Sequence, residues 1–153
     1  NRKMKYIVKN PRWNVPPSIY AKECADKSES DLIKEGFAYN IEGKLYQKEG
    51  SKNALGLVKF LFPNKYNVYM HDTPAKSLFN RHRRAFSHGC IRLEKPLALL
   101  NELGYEYDTN RNQWITLENQ IPVYVEYHTV WIDDDGIVQF RNDIYGYERK
   151  LFK

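Results

Sequence analysis

The segment Asn10-Pro-Arg-Trp-Asn-Val-Pro-Pro17 constrains the fold of this chain more than any other, because it packs three prolines into eight residues. Each proline removes a backbone donor and disfavours helical backbone in the residue before it. A helix and a central strand are therefore both excluded between residues 10 and 17. On one side lies Lys3–Val8, whose alternation around Tyr6 and Val8 reads as a strand. On the other lies Ser18–Glu35, which is helix-permissive, with Ser18 a candidate cap and Ser30–Gly36 a short capped turn.

Further on, Phe37–Ile41 and Leu45–Gln47 flank Glu42-Gly43 and predict a hairpin. Residues 48–56 are charged and rich in Gly, Ser and Asn, which predicts a loop. Leu57–Phe62 is an apolar run broken by Lys59 and reads as a buried strand. Val68–Met70 predicts another, ending at His71. Lys95–Leu103 has Pro96 in the first turn, leucines on one face and Gly104 as a stop, so it predicts a helix. Trp114–Leu117, Val123–Trp131 and Ile137–Arg141 read as strands, the last two joined by a turn at Asp133–Gly136. That turn lacks the twelve-residue loop and closing Glu of a calcium site. The fold class is mixed α/β and strand-dominated. The length of 153 residues, 42% hydrophobic with 12 Tyr and 7 Phe, suits one globular domain that can bury a core. No apolar stretch is long enough for a transmembrane helix. The two cysteines, Cys24 and Cys90, are too few for a disulfide framework or a four-thiolate zinc site.

The net charge of +5 has an address. Residues 76–95 hold Lys76, Arg81, Arg83, Arg84, Arg92 and Lys95 against Glu94 alone, and the remainder of the chain balances to zero. The same window holds Ser87-His88-Gly89-Cys90-Ile91-Arg92. A cysteine after glycine, in a basic loop and before a helix start, has the surroundings that favour a thiolate nucleophile. Gly89 lets a carbonyl approach the neighbouring backbone N–H groups, which suits an oxyanion. His71, at a strand end, is a candidate base. The spacing alone leaves two other readings open: a small buried thiol, and a His71, His88, Cys90 zinc site, which lacks a helical frame for its ligands. Cys24, His82 and His128 have no motif around them. Trp13 reads as a packing anchor. The arginines at 81, 83 and 84 lack the companions of a nucleic-acid site.

His71, sixteen positions and then the His-Gly-Cys-x-Arg run resemble the signature of YkuD domains, the L,D-transpeptidase catalytic family. The resemblance extends to Asn10–Pro17, to Tyr69-Met-His-Asp-Thr-Pro74 and to Asp143-Ile-Tyr-Gly-Tyr147, which look like the YcbB-like branch. It implies a YkuD-type, β-sandwich-like domain over 1–153 with few short helices and a small lid inserted at 18–56. The family's domain usually opens with further strands, which implies that the rest of a longer polypeptide supplies them here. By resemblance, Cys90 is the nucleophile and His71 the base, its other nitrogen held by the Asp72 backbone carbonyl. His88 and Gly89 shape the oxyanion pocket, Ser87 supports the loop, and Tyr69, Arg92, Arg84 and Arg81 meet substrate. The implied reaction is attack on a peptidoglycan tetrapeptide stem with release of D-alanine, then 3→3 cross-linking to a second stem. Water as acceptor would make an L,D-carboxypeptidase, and loss of chemistry a wall-binding module. The implied partners are stem peptides, not nucleic acid; the implied place is the periplasm or cell envelope of a bacterium; no cofactor or metal is expected.

Overall fold

The computed structural model describes residues 2–108 and 111–151. Of the expected 1–153 span, positions 1, 109–110 and 152–153 therefore lie outside the described residues. The chain divides into two compact units, Arg2–Val123 and the residues from Tyr124 onward. No helix among the described residues is long and apolar enough to cross a membrane.

In the larger unit the first strand, β1 (Arg2–Lys9), lies inside a five-stranded sheet. The proline segment follows, and its only strand, β2 (Trp13–Asn14), sits at the edge of a separate three-stranded sheet. An edge is where a chain short of donors can pair. Pro17 then opens a single helical turn, α1 (Pro17–Ile19), which runs into a π-helical turn at Tyr20–Cys24. The expected cap at Ser18 is displaced, because Pro17 already occupies the first helical position and Pro16 the cap. Helix α2 (Glu29–Lys34) is capped by Ser28, not at Ser30, with the Ser28 hydroxyl accepting from the Asp31 N–H at 3.2 Å.

Strands β3 (Phe37–Tyr39) and β4 (Leu45–Gln47) form the expected hairpin, with β2 on the far side of β4. This small sheet buries Cys24, Leu32, Phe37 and Leu45, with Trp13 and Val15 against them. The loop at 48–56 is tied down by the buried Asn53. Its amide donates to the Pro11 carbonyl at 2.9 Å and the Lys48 carbonyl at 2.8 Å, while its oxygen accepts from the Leu55 N–H.

The large sheet adds β5 (Val58–Leu61), β6 (Met70–His71), β7 (Ile91–Arg92) and β8 (Gln113–Val123), in the order β7-β6-β5-β1-β8. Only the β6–β7 pair is parallel. Helix α3 (Pro96–Glu102) lies between β7 and β8 in sequence and places Leu100 in the core with Met4, Ile7, Val58, Phe60, Phe62 and Leu117. Strand β8 runs on from the expected Trp114–Leu117 as far as Val123, because β1 continues to offer it partners down to Arg2 across an irregularity between Met4 and Tyr6.

The smaller unit holds a hairpin of β9 (Val130–Ile132) and β10 (Val138–Phe140), then α4 (Glu148–Leu151). The expected strand at Val123–Trp131 is thus realised only at its two ends, Val123 closing β8 and Val130–Trp131 opening β9, since the residues between find no partner strand. Asp133 closes the turn, accepting from the Asp135 and Ile137 N–H groups.

Register explains how the large sheet is used. Cross-strand neighbours put Ile115, Ile7, Phe60, Met70 and Ile91 in one row across all five strands. These residues belong to, or pack on, the core cluster that contains Leu100. One residue away, the neighbours are Trp114, Val8, Lys59, His71 and Arg92. Because successive side chains point to opposite faces, this second row lies on the other side of the sheet from the core.

Candidate active site

His71 ends β6 and is buried. Its Nδ1 makes a short hydrogen bond to the backbone carbonyl of Asp72. A carbonyl can only accept, so Nδ1 carries the proton and neutral His71 presents Nε2 as a bare acceptor. Burial pushes the His71 pKa down; the Asp72 carbonyl opposes that shift, and the Arg92 and Lys59 cations add to it. The ring is thereby kept neutral and able to take a proton.

The Asp72 side chain is occupied elsewhere. Its carboxylate accepts from the Leu57 N–H at 2.8 Å and the Thr73 N–H at 2.7 Å, and pairs with Lys76 at 2.7 Å. It presses against Gly56, where a Cβ would meet the carboxylate oxygen at 2.3 Å and where φ is +60°. Only glycine fits there, and the contact fixes the strand end that carries His71.

Cys90 immediately precedes β7. Parallel pairing sets Met70 beside Ile91 and His71 beside Arg92, and the Ile91 N–H donates to the Tyr69 carbonyl at 3.0 Å. Continued one residue back, the register places Cys90 beside Tyr69, on the face that carries His71. The thiol is half-buried and free. Its Sγ lies 3.9 Å from the Asn67 carbonyl oxygen, a weak contact. Asn67 adopts a positive φ of 53°, in a loop braced by Asn64, whose side chain bonds backbone groups of Phe62, Tyr66 and Val68. Burial, reinforced by the neighbouring Cys90, pushes the Tyr69 phenol far up. The Tyr69 ring meets His71 edge-on, with centroids 5.7 Å apart.

The remaining expected residues are dispersed along the basic loop, except Arg92, which sits in β7 beside His71. Ser87 Oγ accepts from the Gly89 N–H at 3.2 Å, so that N–H is already engaged. Gly89 has a φ of +133°, which favours glycine, and the space around its missing Cβ is open. His88 is exposed and pairs with Glu23 of the π-helical turn at 3.1 Å, linking the loop to the 18–56 region. Arg81 and Arg84 are exposed, and the Arg84 Nε donates to the Arg81 carbonyl at 2.9 Å. Arg92 is half-buried, with its Nε shielded from solvent and without a hydrogen-bond partner in the structure. Among the described residues no group of three His, Cys, Asp or Glu is placed to hold a metal.

Lys59 escaped the sequence reading, although its position as the lysine breaking an apolar run was a signal. It neighbours His71 across the β5–β6 pair, and its Nζ sits 5.6 Å from the centres of both the Tyr69 and the Trp114 rings. Beyond it opens a cavity of about 260 Å³ lined by Tyr6, Phe62, Asn67, Tyr69 and Trp114 among others. Asn67, whose carbonyl touches the Cys90 Sγ, and Tyr69, beside Cys90 in the register, form part of its wall.

This cluster can hold a neutral histidine and a thiol on one sheet face, beside a groove with aromatic walls. Comparison with known proteins shows the family. The model of the YkuD family, described as the L,D-transpeptidase catalytic domain, matches residues 1–139. A Haemophilus influenzae protein described as "Putative L,D-transpeptidase" is 32% identical over 183 aligned positions, covering 97% of this chain and 37% of that protein. The chain thus spans just over a third of the length of that curated relative. The match covers nearly all of this chain at an identity well above chance, and the chain belongs to the YkuD family of L,D-transpeptidase catalytic domains.

Proposed function

We propose that this chain is the catalytic portion of a cysteine L,D-transpeptidase of the YcbB-like branch, acting on peptidoglycan stem peptides in a bacterial envelope. The observation that carries the reading is the cross-strand placement of Cys90 beside Tyr69, on the face where His71 presents Nε2 with Nδ1 held by the Asp72 carbonyl. A nucleophile, a base and a group that orients the base are the parts such chemistry needs.

The Cys90 thiol passes its proton to His71 Nε2, and the sulfur attacks the carbonyl carbon of the third residue of a tetrapeptide stem. The carbonyl electron pair moves onto oxygen, where the backbone N–H of Cys90 itself stabilises it, since the flanking Gly89 and Ile91 N–H groups already donate to Ser87 and Tyr69. Collapse breaks the bond to the terminal D-alanine, whose nitrogen takes the proton from His71, and a thioester remains on Cys90. An amine of a second stem then displaces the sulfur, forming the 3→3 link and returning the thiol. His88 and Gly89 shape the loop around the nucleophile and Ser87 braces it. Arg92, with its unpartnered Nε, and the exposed Arg81 and Arg84 are the cations that meet peptide carboxylates. Residues 18–56 form a lid that gates entry, touching the motif loop through Glu23 and His88.

The test is incubation with muropeptides bearing tetrapeptide stems, read by mass spectrometry. The expected result is an acyl adduct on Cys90 with loss of one D-alanine. Cross-linked dimers identify transpeptidation, and free tripeptide stems identify an L,D-carboxypeptidase. Neither adduct nor D-alanine release, with wall binding retained in Cys90→Ala, would leave a binding module in place of the enzyme.

A further inference from the structure

We propose that Lys59 is a positioning residue for Cys90: its ammonium, held over the Tyr69 ring on the sheet face that carries His71, favours the sulfur anion and opposes a proton on His71. The inference rests on the reading of Cys90 as nucleophile and adds a charge that the thiol–imidazole pair does not itself supply.

The geometry has three parts. Lys59 is the direct cross-strand neighbour of His71. Its Nζ is 5.6 Å from the centre of the Tyr69 ring, and the β6–β7 register, continued one residue back, sets Tyr69 beside Cys90. Its other flank is the Trp114 ring, also at 5.6 Å. Two aromatic faces hold a cation in place but leave it without a counter-ion. Among the described residues, Lys59 forms no ion pair with a carboxylate.

The groups that face it on every side are accounted for. Strand β6 and the residue before it offer His71 and Tyr69, β7 and the residue before it offer Arg92 and Cys90, β1 offers Tyr6 and Val8, and β8 offers Trp114 and Thr116. None is a carboxylate. The nearest one in sequence to His71, Asp72, is bound by two backbone N–H groups and Lys76. Sulfur is thus the one group of this set, apart from the strongly raised Tyr69 phenol, that can become an anion. Burial lowers the Lys59 pKa and Cys90 opposes that shift.

The experiment follows alkylation of Cys90 by iodoacetamide, an uncharged probe, with peptide mass spectrometry. Wild type is compared with Lys59→Met, Lys59→Gln and Lys59→Arg from about pH 6 to about pH 9. Labelling of the buried Cys24 serves as the internal check that each variant stays folded. The expected result is a slowing of about tenfold for Met and Gln near neutral pH, narrowing as pH rises, with Arg within about threefold of wild type. Met and Gln rates within about twofold of wild type at every pH would overturn the proposal, as would an Arg variant as slow as Met. A raised KM for stem peptide with unchanged alkylation would also overturn it and assign Lys59 to substrate carboxylates. Slowed alkylation without any acyl adduct in wild type would keep Lys59's role and remove the transpeptidase reading instead.

Discussion

Two rows of side chains cross the large sheet one residue apart. Ile115, Ile7, Phe60, Met70 and Ile91 form one, and Trp114, Val8, Lys59, His71 and Arg92 the other. Every strand contributes to both, so backbone pairing is common to them and only the direction of the side chain differs. The first row meets Leu100 of α3 and makes the core. The second holds two cations, an imidazole and an indole, with Val8 as its one aliphatic member. The lesson is a division of labour by parity. Residues that hold the sheet together cannot also present polar groups, and residues freed from packing can collect charge that a core would exclude. Cys90 lies on the same face, two residues from Arg92, through its place beside Tyr69.

The sharpest way to break this comparison is to exchange what each row controls. Cys90→Ala is expected to abolish the acyl adduct and lower turnover by about a thousandfold or more, with the melting temperature nearly unchanged, as read by mass spectrometry and thermal melts. His71→Gln is expected to lower turnover by about 10²–10⁴-fold, again with little loss of fold. Equal losses of stability in both variants would show that the second row also carries the core.

Phe60→Ala tests the other side. Phe60 is fully buried, so the change is expected to cost about 3–5 kcal/mol of unfolding free energy in denaturant melts. Any activity lost should return when the folded fraction is corrected for. Gly56→Ala is expected to cost about 2–3 kcal/mol, since the new methyl meets the Asp72 carboxylate in a left-handed turn. It should also lower turnover of the folded fraction, because the same carboxylate fixes the end of β6. That single variant links the two rows.

The smallest effect is that of acid. Burial, with Arg92 and Lys59, lowers the folded-state pKa of His71 against an unfolded value of about 6.5. Above that value the ring is neutral in both states and its contribution to stability is fully present. As pH falls from about 6.5 through the lower folded value, the unfolded chain binds the proton first and the contribution is lost. Melting temperature should therefore drop on acidification, and His71→Gln should flatten that part of the profile.

Much of this arrangement was legible in the sequence, and particular residues show where legibility stopped. The strands at Lys3–Val8 and Leu57–Phe62 and the helix at Lys95–Leu103 were readable because local pattern and tertiary need agree there. Strand β7 was not: two residues, Ile91 and Arg92, become a strand only by pairing with β6. The middle of the strand expected at Val123–Trp131, residues 124–129, shows the converse, since aromatic and β-branched residues without a partner do not make a ladder. For the site, motif spacing singled out Cys90 and His71 but could not distinguish His88, which meets Glu23, from a residue of the thiol's own face. Lys59 was visible only as an interruption.

By itself the sequence determined the breaks, the class and the chemistry on offer. Prolines exclude helix and central strand at 10–16, the excess charge gathers at 76–95, and one Gly-Cys step sits beside histidines. These are properties of single residues and close neighbours, which act wherever the chain goes. Tertiary structure alone decided which groups share a face. Parallel pairing of β6 with β7 brings residue 90 beside residue 69, and antiparallel pairing of β5 with β6 brings Lys59 beside His71. Register is set by the burial of whole rows, because a slip of one residue would turn the core outward. The companions of Cys90 thus follow from how Ile7 and Phe60 pack, far from the motif that announces it.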